Sequence, residues 1–534
     1  MALVLGRPPA MQAAVLERAV IARDPRFDGL FFVAITTTGI YCRPVCPTRA
    51  ADSRHRRFFD SAASAEQAGY RPCLRCRPEL APGRAVMDAV PRLATVAAHR
   101  IGAGALNGRG VAQLARDLGV SERHLRRALE RELGVSPLEL AQTHRLLLAK
   151  RLLADTDLPV IQVAFASGFE SLRRFNSVFR ERYRVTPSAV RHAARPRASS
   201  RSGPARPEGT PRSAYRVRLT LAYRPPLAWE TLLSMLRREA MPGVERVEGE
   251  QYLRTVQLGD RRGFVAVEGG TARGGERRAG ARTYLDVEVS AELVPVLMPL
   301  LARLRRLLDL DAEPSVVDEC LVRGGLGAQV RVRPGLRVPG AVDGFEAALL
   351  ALLRDGERWA GWAWGAEQMD TGLRRLVADL GEPFDGSVPG LTRLAPTAAR
   401  VAEAGAARLR EMGLPRRRAE AVASLARSVA TGALRLEPGC DLLSTLRALR
   451  DVDGVGERLA TTILMRALSW PDAFPAADRG LQRAAGVSGA PALRALAERW
   501  RPWRAYAALH LRLGVVLPAR RPPLGAYSPM PMAQ

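Results

Sequence analysis

At 534 residues the chain is too long for a single hydrophobic core, and several domains are expected. Hydrophobic residues make up 47% of it, which argues against general disorder, while 81 basic against 54 acidic side chains give a net charge of +27 and point to a polyanionic partner, most simply nucleic acid. Six cysteines in this length argue against a disulfide scaffold, "MALVLGRPPAM" lacks the apolar core of a signal peptide, and the most apolar stretch, 291–308, is broken by Glu292, Arg303, Arg305 and Arg306, so a cytoplasmic protein without a membrane span is expected.

In chain order, the first informative elements are "GIYCRPVC" and "RPCLRC", which hold Cys42, Cys46, Cys73 and Cys76. A C-x3-C pair and a C-x2-C pair separated by 26 residues have the spacing of a tetrahedral four-thiolate zinc site. Such a site is either a closed structural centre or one that also carries a reactive thiol. Next, "VAQLARDLGVSERHLRRALERELGV" (111–135) has helical apolar spacing, Gly119 for a turn and Ser121 to cap a second helix. About fifty residues later the pattern recurs, with Gly168 in the turn and Ser171 as cap, and the helix 137–156 lies between. The two second helices would expose Arg123, His124, Arg126 and Arg127, then Arg173, Arg174 and Asn176, to read base edges, contact phosphates or form a solvated basic face.

Residues 194–213, rich in Pro, Gly, Ser and Arg, predict a flexible basic linker. Alternation at Tyr215, Val217, Leu219 and Leu221 predicts a half-buried strand, and similar runs at 252–258, 263–269 and 283–289 with helical patterns at 229–240 and 291–308 make an α+β unit over 214–332. The pattern is helical from 333 to about 520, before a short tail at 521–534. Within it, Gly454 and Gly456 allow a tight hairpin between helices whose amides can hold a DNA phosphate. Asp478 follows, either as a helix cap or as an acid placed for chemistry.

These motifs carry three resemblances. "ARDPRFDGLFFVAITTTGIYCRPVCPTR" with "AGYRPCLRCRPE" resembles the N-terminal domain of the Ada alkylation-response family, implying that a module over 1–84 binds one zinc through Cys42, Cys46, Cys73 and Cys76 and that Cys42 accepts a methyl group from a DNA methylphosphotriester. Four thiolates and a zinc dication carry two net negative charges, and methylating one sulfur removes one, which weakens repulsion from DNA phosphates. The repeated motif resembles the AraC-type double helix-turn-helix, over 85–193, implying promoter DNA and RNA polymerase as partners. "PGLRVPGAVDGFEAALLALL", "GLPRRRAEAVASLA" and "DVDGVGERLA" are similar to AlkA-type alkylpurine DNA glycosylases, of the helix-hairpin-helix class, implying that Asp478 acts in cleavage of the N-glycosidic bond in alkylated double-stranded DNA.

The expected whole is multidomain and mainly α: a small four-cysteine zinc domain, an AraC-type double helix-turn-helix, an α+β subdomain and a helix-hairpin-helix glycosylase domain over 333–520. The sole lysine is Lys150, far from Asp478 in sequence, so a Schiff-base lyase is not expected, and a cofactor-free monofunctional glycosylase is. No Pro-Cys-His-Arg motif follows the second helix-turn-helix, so repair of O-alkylated bases is not expected. Where the glycosylase family tends to place aromatics around a flipped base, this chain carries Arg458, Thr462 and Arg512, and its 354–372 segment, with Trp359, Trp362 and Trp364, departs from the family's wedge motif.

Overall fold

A computed structural model describes residues 13–48, 51–83, 93–198, 216–269, 283–354, 366–386 and 388–514. Trp359, Trp362 and Trp364 and residues 199–213 of the expected linker lie outside the described residues, while 194–198, expected in the linker, continue the helix Pro187–Ala198 instead.

The N-terminal module is built on a small sheet of β1 (Phe32–Ile35), β2 (Ile40–Cys42), β3 (Arg56–Phe59) and β4 (Arg71–Pro72), in the order β3-β1-β2-β4. β1 runs antiparallel to β2 and β3, and β4 runs parallel to β2. Alternation splits the apolar residues between two faces. Phe32, Ala34 and Tyr41 pack with Ala65 on one side, while Phe31 and Val33 pack with the four cysteines on the other. Strands of two to four residues are too short to leave a period-two signal, which is why sequence patterning did not find them.

The two helix-turn-helix motifs form as expected. The first pairs Val111–Asp117 with Glu122–Leu133, and the second pairs Val160–Ala166 with Leu172–Tyr183. Gly119 and Gly168 take positive φ values of 69° and 87° in the turns. Ser121 and Ser171 cap the second helices, their side chains accepting from the His124 and Arg174 amides. Between them runs the helix Pro137–Asp155, opened by a reciprocal cap of Ser136 and Glu139. Leu140, Ala141, Thr143, Leu146, Leu148 to Leu153 are all buried, so this helix has no solvent stripe and sits between layers rather than on a surface.

What covers it is the rest of the molecule. Thr143 donates to Glu66 of the N-terminal module at 3.1 Å, and Arg151 donates to the Thr220 carbonyl of the sheet that follows the linker. That antiparallel sheet has the order β5-β9-β8-β7-β6, from Arg216–Ala222 (β5), Glu245–Glu248 (β6), Gln251–Leu258 (β7), Arg261–Gly269 (β8) and Tyr284–Ser290 (β9). β6 is an addition to the sequence expectation. The expected helix over 291–308 begins as a tight 3-10 turn, Ala291–Val296, because Pro295 lacks an amide, and becomes α-helical only at Leu297–Leu307. One apolar cluster joins Leu146 of the helix Pro137–Asp155 and Phe175, Phe179 and Tyr183 of the second helix-turn-helix to Val217, Leu219, Val287 and Leu297 of the α+β unit. Beyond it, helices Gly344–Leu353, Arg416–Ala430 and Glu457–Ala467 form a separate all-helical core. Among the described residues no helix is long and apolar enough to cross a membrane.

Glu66 is a titratable part of the junction. Its carboxylate accepts from Tyr41 and Thr143 and lies 3.7 Å from the Arg182 guanidinium. Burial pushes its carboxyl up to about 7 from an ordinary 4.5, against the pull of Arg182. Folding therefore takes up a proton between those values, and stability falls as pH rises through that window. Glu66→Gln removes this slope: between pH 6 and pH 8 the wild type is expected to lose about 1 kcal/mol more than the variant, measured from thermal transitions at the two pH values.

Candidate functional site

The four cysteine sulfurs converge although they come from different chain segments. Cys42 ends β2 opposite Val33, and Cys46 follows a turn closed by its own amide on the Arg43 carbonyl. Cys73 is brought beside them because β4 pairs with β2, its amide donating to the Tyr41 carbonyl at 3.0 Å. All four Sγ atoms lie within 4.8 Å of one another, and all four residues are buried. Hydrogen bonding among the sulfurs, followed by burial, pushes the Cys42 and Cys76 thiols up, while hydrogen bonding to Cys42 lowers Cys46 to about 6. Four buried thiols at this spacing cannot all ionise without a cation among them, and a tetrahedral dication fits the donor set.

The sulfurs differ in what supports them. Cys76 Sγ accepts from the Arg43 amide and Cys73 Sγ from the Arg75 amide, each at 3.3 Å, and Cys46 Sγ lies 3.0 Å from the Thr48 hydroxyl. Among the described residues no backbone amide or hydroxyl donates to Cys42. A donated hydrogen bond withdraws electron density from a thiolate, and Cys42 is spared that withdrawal by amides and hydroxyls. Two buried cations brace the second pair from behind. Arg43 donates to the Cys76 carbonyl at 3.2 Å and is ion-paired to Asp28, and Lys150 donates to the Cys73 carbonyl at 3.1 Å and is ion-paired to Glu79. Sequence reasoning missed both. The one available clue was that a chain with 81 basic residues uses lysine once.

The expected DNA-facing residues sit on the second helix of each motif. Arg123, His124, Arg127, Arg173 and Arg174 are exposed, and Asn176 is half-buried. Arg126 is also half-buried and is paired with Glu122 at 2.6 Å on its own helix. In the hairpin, Gly454 has a φ of 85°, a conformation that favours glycine, and Gly456 caps the helix Glu457–Ala467; both are exposed.

Asp478 takes the helix-cap place that the sequence allowed. It caps the helix Arg479–Ala484, one oxygen accepting the Leu481 amide at 2.9 Å, and its other oxygen accepts from Arg512 at 2.8 Å. Arg512 comes from the helix Arg504–Gly514, and burial lowers its pKa while Asp478 opposes that shift. The Thr462 hydroxyl is turned to its own helix, donating to the Arg458 carbonyl at 3.0 Å. Asp472 is fully buried and ion-paired with Arg501 and Arg504.

Three family models match the chain: the metal binding domain of Ada over residues 16–79, a helix-turn-helix domain over 114–193, and the AlkA N-terminal domain over 218–343. It is 37% identical over 499 residues, covering 92% of this chain and 95% of the relative, to the probable bifunctional transcriptional activator/DNA repair enzyme AlkA of Mycobacterium tuberculosis. The chain belongs to this AlkA family of bifunctional activator/repair proteins. It is 34% identical to DNA-3-methyladenine glycosylase 2 of Escherichia coli over 294 residues, which are 55% of this chain and 95% of that one. Over 64 residues, 12% of this chain and 18% of the relative, it is 50% identical to the bifunctional transcriptional activator/DNA repair enzyme Ada of Escherichia coli. The four cysteines of this AlkA-family chain thus fall inside the matched Ada metal-binding region and make a site for one zinc.

Elemental analysis is expected to find one zinc per chain and none after Cys76→Ala. Arg512→Ala strands a buried carboxylate and is expected to cost about 3 kcal/mol of stability, visible as a lower melting temperature.

Proposed function

We propose that the protein records backbone alkylation of DNA on Cys42, binds promoter DNA through its two helix-turn-helix motifs, and removes N-alkylated purines such as 3-methyladenine with its C-terminal half. The observation that carries the first role is the asymmetry of the cysteine cluster, in which Cys42 alone lacks a backbone or hydroxyl donor among the described residues. Bound zinc would keep the sulfurs deprotonated at neutral pH. The Cys42 sulfur then attacks the methyl carbon of a phosphotriester, a sulfur–carbon bond forms, the carbon–oxygen bond breaks, and its electron pair stays on the phosphate as an ordinary diester. No proton moves, so no general base is required. Arg43, tied to Asp28, keeps the turn that carries Cys42 from shifting as its charge changes.

The exposed arginines of the two recognition helices, together with a +27 chain, support duplex binding, and the amides that open the helix after Gly456 are placed to hold a phosphate. Transcriptional activation would bring RNA polymerase as a further partner. In the glycosylase half, an extruded base would leave a sugar with oxocarbenium character, which the Asp478 carboxylate would stabilise. A second reading has an observation of its own: Arg512 already neutralises Asp478, which favours a C-terminal half that binds DNA without cleaving it.

Duplex DNA containing methylphosphotriesters and 3-methyladenine separates these roles in one incubation. Mass analysis is expected to find one added methyl on the wild-type protein and none on Cys42→Ser. Free 3-methyladenine is expected from the wild type, and at least a hundredfold less from Asp478→Asn. Methyl uptake with no base released by the wild type would leave the binding-only alternative for the C-terminal half.

A further inference from the structure

We propose that Lys150 is the residue through which the charge of the cysteine centre is felt by the double helix-turn-helix. This rests on Cys42 being the methyl acceptor, as proposed above, and extends it from the sensor to the reader.

The placement of Lys150 is unusual in three respects. It is the sole lysine in a chain that otherwise uses arginine, so the position holds a compact ammonium where a guanidinium fork is the rule. Its side chain is 2% exposed, buried in the helix that joins the two helix-turn-helix motifs. Its partners belong to the other module: the carbonyl of the zinc-ligand candidate Cys73, and Glu79 three residues beyond Cys76. Glu79 also pairs with Arg77 at 3.0 Å, and Arg77 returns to the same helix through Asp155 at 2.8 Å. The junction is therefore a closed loop of charges, from helix to cysteine segment and back.

Such a loop responds to charge. A buried ammonium shared between the negative field of a four-thiolate zinc centre and the carboxylate of Glu79 is balanced between the two. Methylation of Cys42 removes one negative charge from the centre, and the balance shifts toward Glu79. Because the helix carries the first motif before it and the second after it, a small shift at Lys150 alters how the two recognition helices present Arg123 and Arg127 against Arg173 and Arg174. A contact of this helix with the N-terminal module that lies outside the charge loop, Gln67 donating to Glu139 at 3.5 Å, serves as a control. The coupling acts in both directions, as any linkage between two sites must.

The test uses the full-length zinc-loaded protein, wild type, Lys150→Met and Gln67→Ala. Each is incubated with a methylphosphotriester duplex, its methyl content is measured by mass, and affinity for an unmodified duplex is measured before and after at fixed salt. The wild type and Gln67→Ala are expected to gain at least tenfold in affinity on methylation, and Lys150→Met less than threefold. The ratio within each protein is the readout, since a merely structural loss lowers both affinities together. Full gain in Lys150→Met overturns the proposal, as does an equal loss of gain in Gln67→Ala, which would make the whole interface responsible. No methyl on any of the three proteins overturns the acceptor role of Cys42 and this proposal with it. Should Lys150→Met lose zinc, Glu79→Gln, which removes the counter-charge from the same loop, is expected to reduce the gain likewise, and a full gain there overturns the proposal.

Discussion

The burial of one helix along most of its length governs how this protein is assembled. Beyond its exposed first turn at Leu138, Pro137–Asp155 turns no residue fully to water, and the N-terminal module, both helix-turn-helix motifs and the α+β sheet are packed around it. A fully buried leucine or phenylalanine contributes roughly 2 kcal/mol, and this helix and its neighbours contribute many of them to a single apolar cluster. The polar groups that enter the same space are satisfied across module boundaries: Thr143 on Glu66, Lys150 on Glu79 and the Cys73 carbonyl, and Arg151 on the Thr220 carbonyl. Breaking any of these leaves a buried charge or dipole without its partner, which costs more than the bond itself contributes.

The same rule of paired burial holds around the two candidate centres. Arg43 and Asp28 lie under the cysteines, and the Asp28 carbonyl in turn accepts from Arg224 of the α+β unit at 3.1 Å. The cysteine module is therefore tied by buried cations on two sides, by Lys150 of the helix Pro137–Asp155 and, through Arg43 and Asp28, by Arg224 of the α+β unit. At the other end the Asp478 carboxylate is held in one orientation by the Leu481 amide and by Arg512.

Most of the architecture was legible because its signals are local. Cysteine spacing encodes a metal site directly, and Ser121 and Ser171 mark helix starts wherever they occur after a glycine turn. The alternation in β5, β7, β8 and β9 is long enough to show a period of two, whereas β1 to β4 and β6 are not. What was not legible lies between segments far apart in sequence. Nothing near Lys150 announces Glu79, and nothing near Asp478 announces Arg512 beyond an arginine in place of an aromatic. Even the composition of 194–213, which reads as a hinge between independent parts, gives no hint that Phe175 and Phe179 on one side share a core with Val217 and Leu219 on the other.

That shared core bears on how such a chain came to be one polypeptide. Two genes joined by a tether would keep separate interiors, and either product would survive alone. Here, cutting the chain between Ala198 and Arg216 and parting the pieces would strip Phe175 and Phe179 from Val217 and Leu219 and leave an adhesive surface on both.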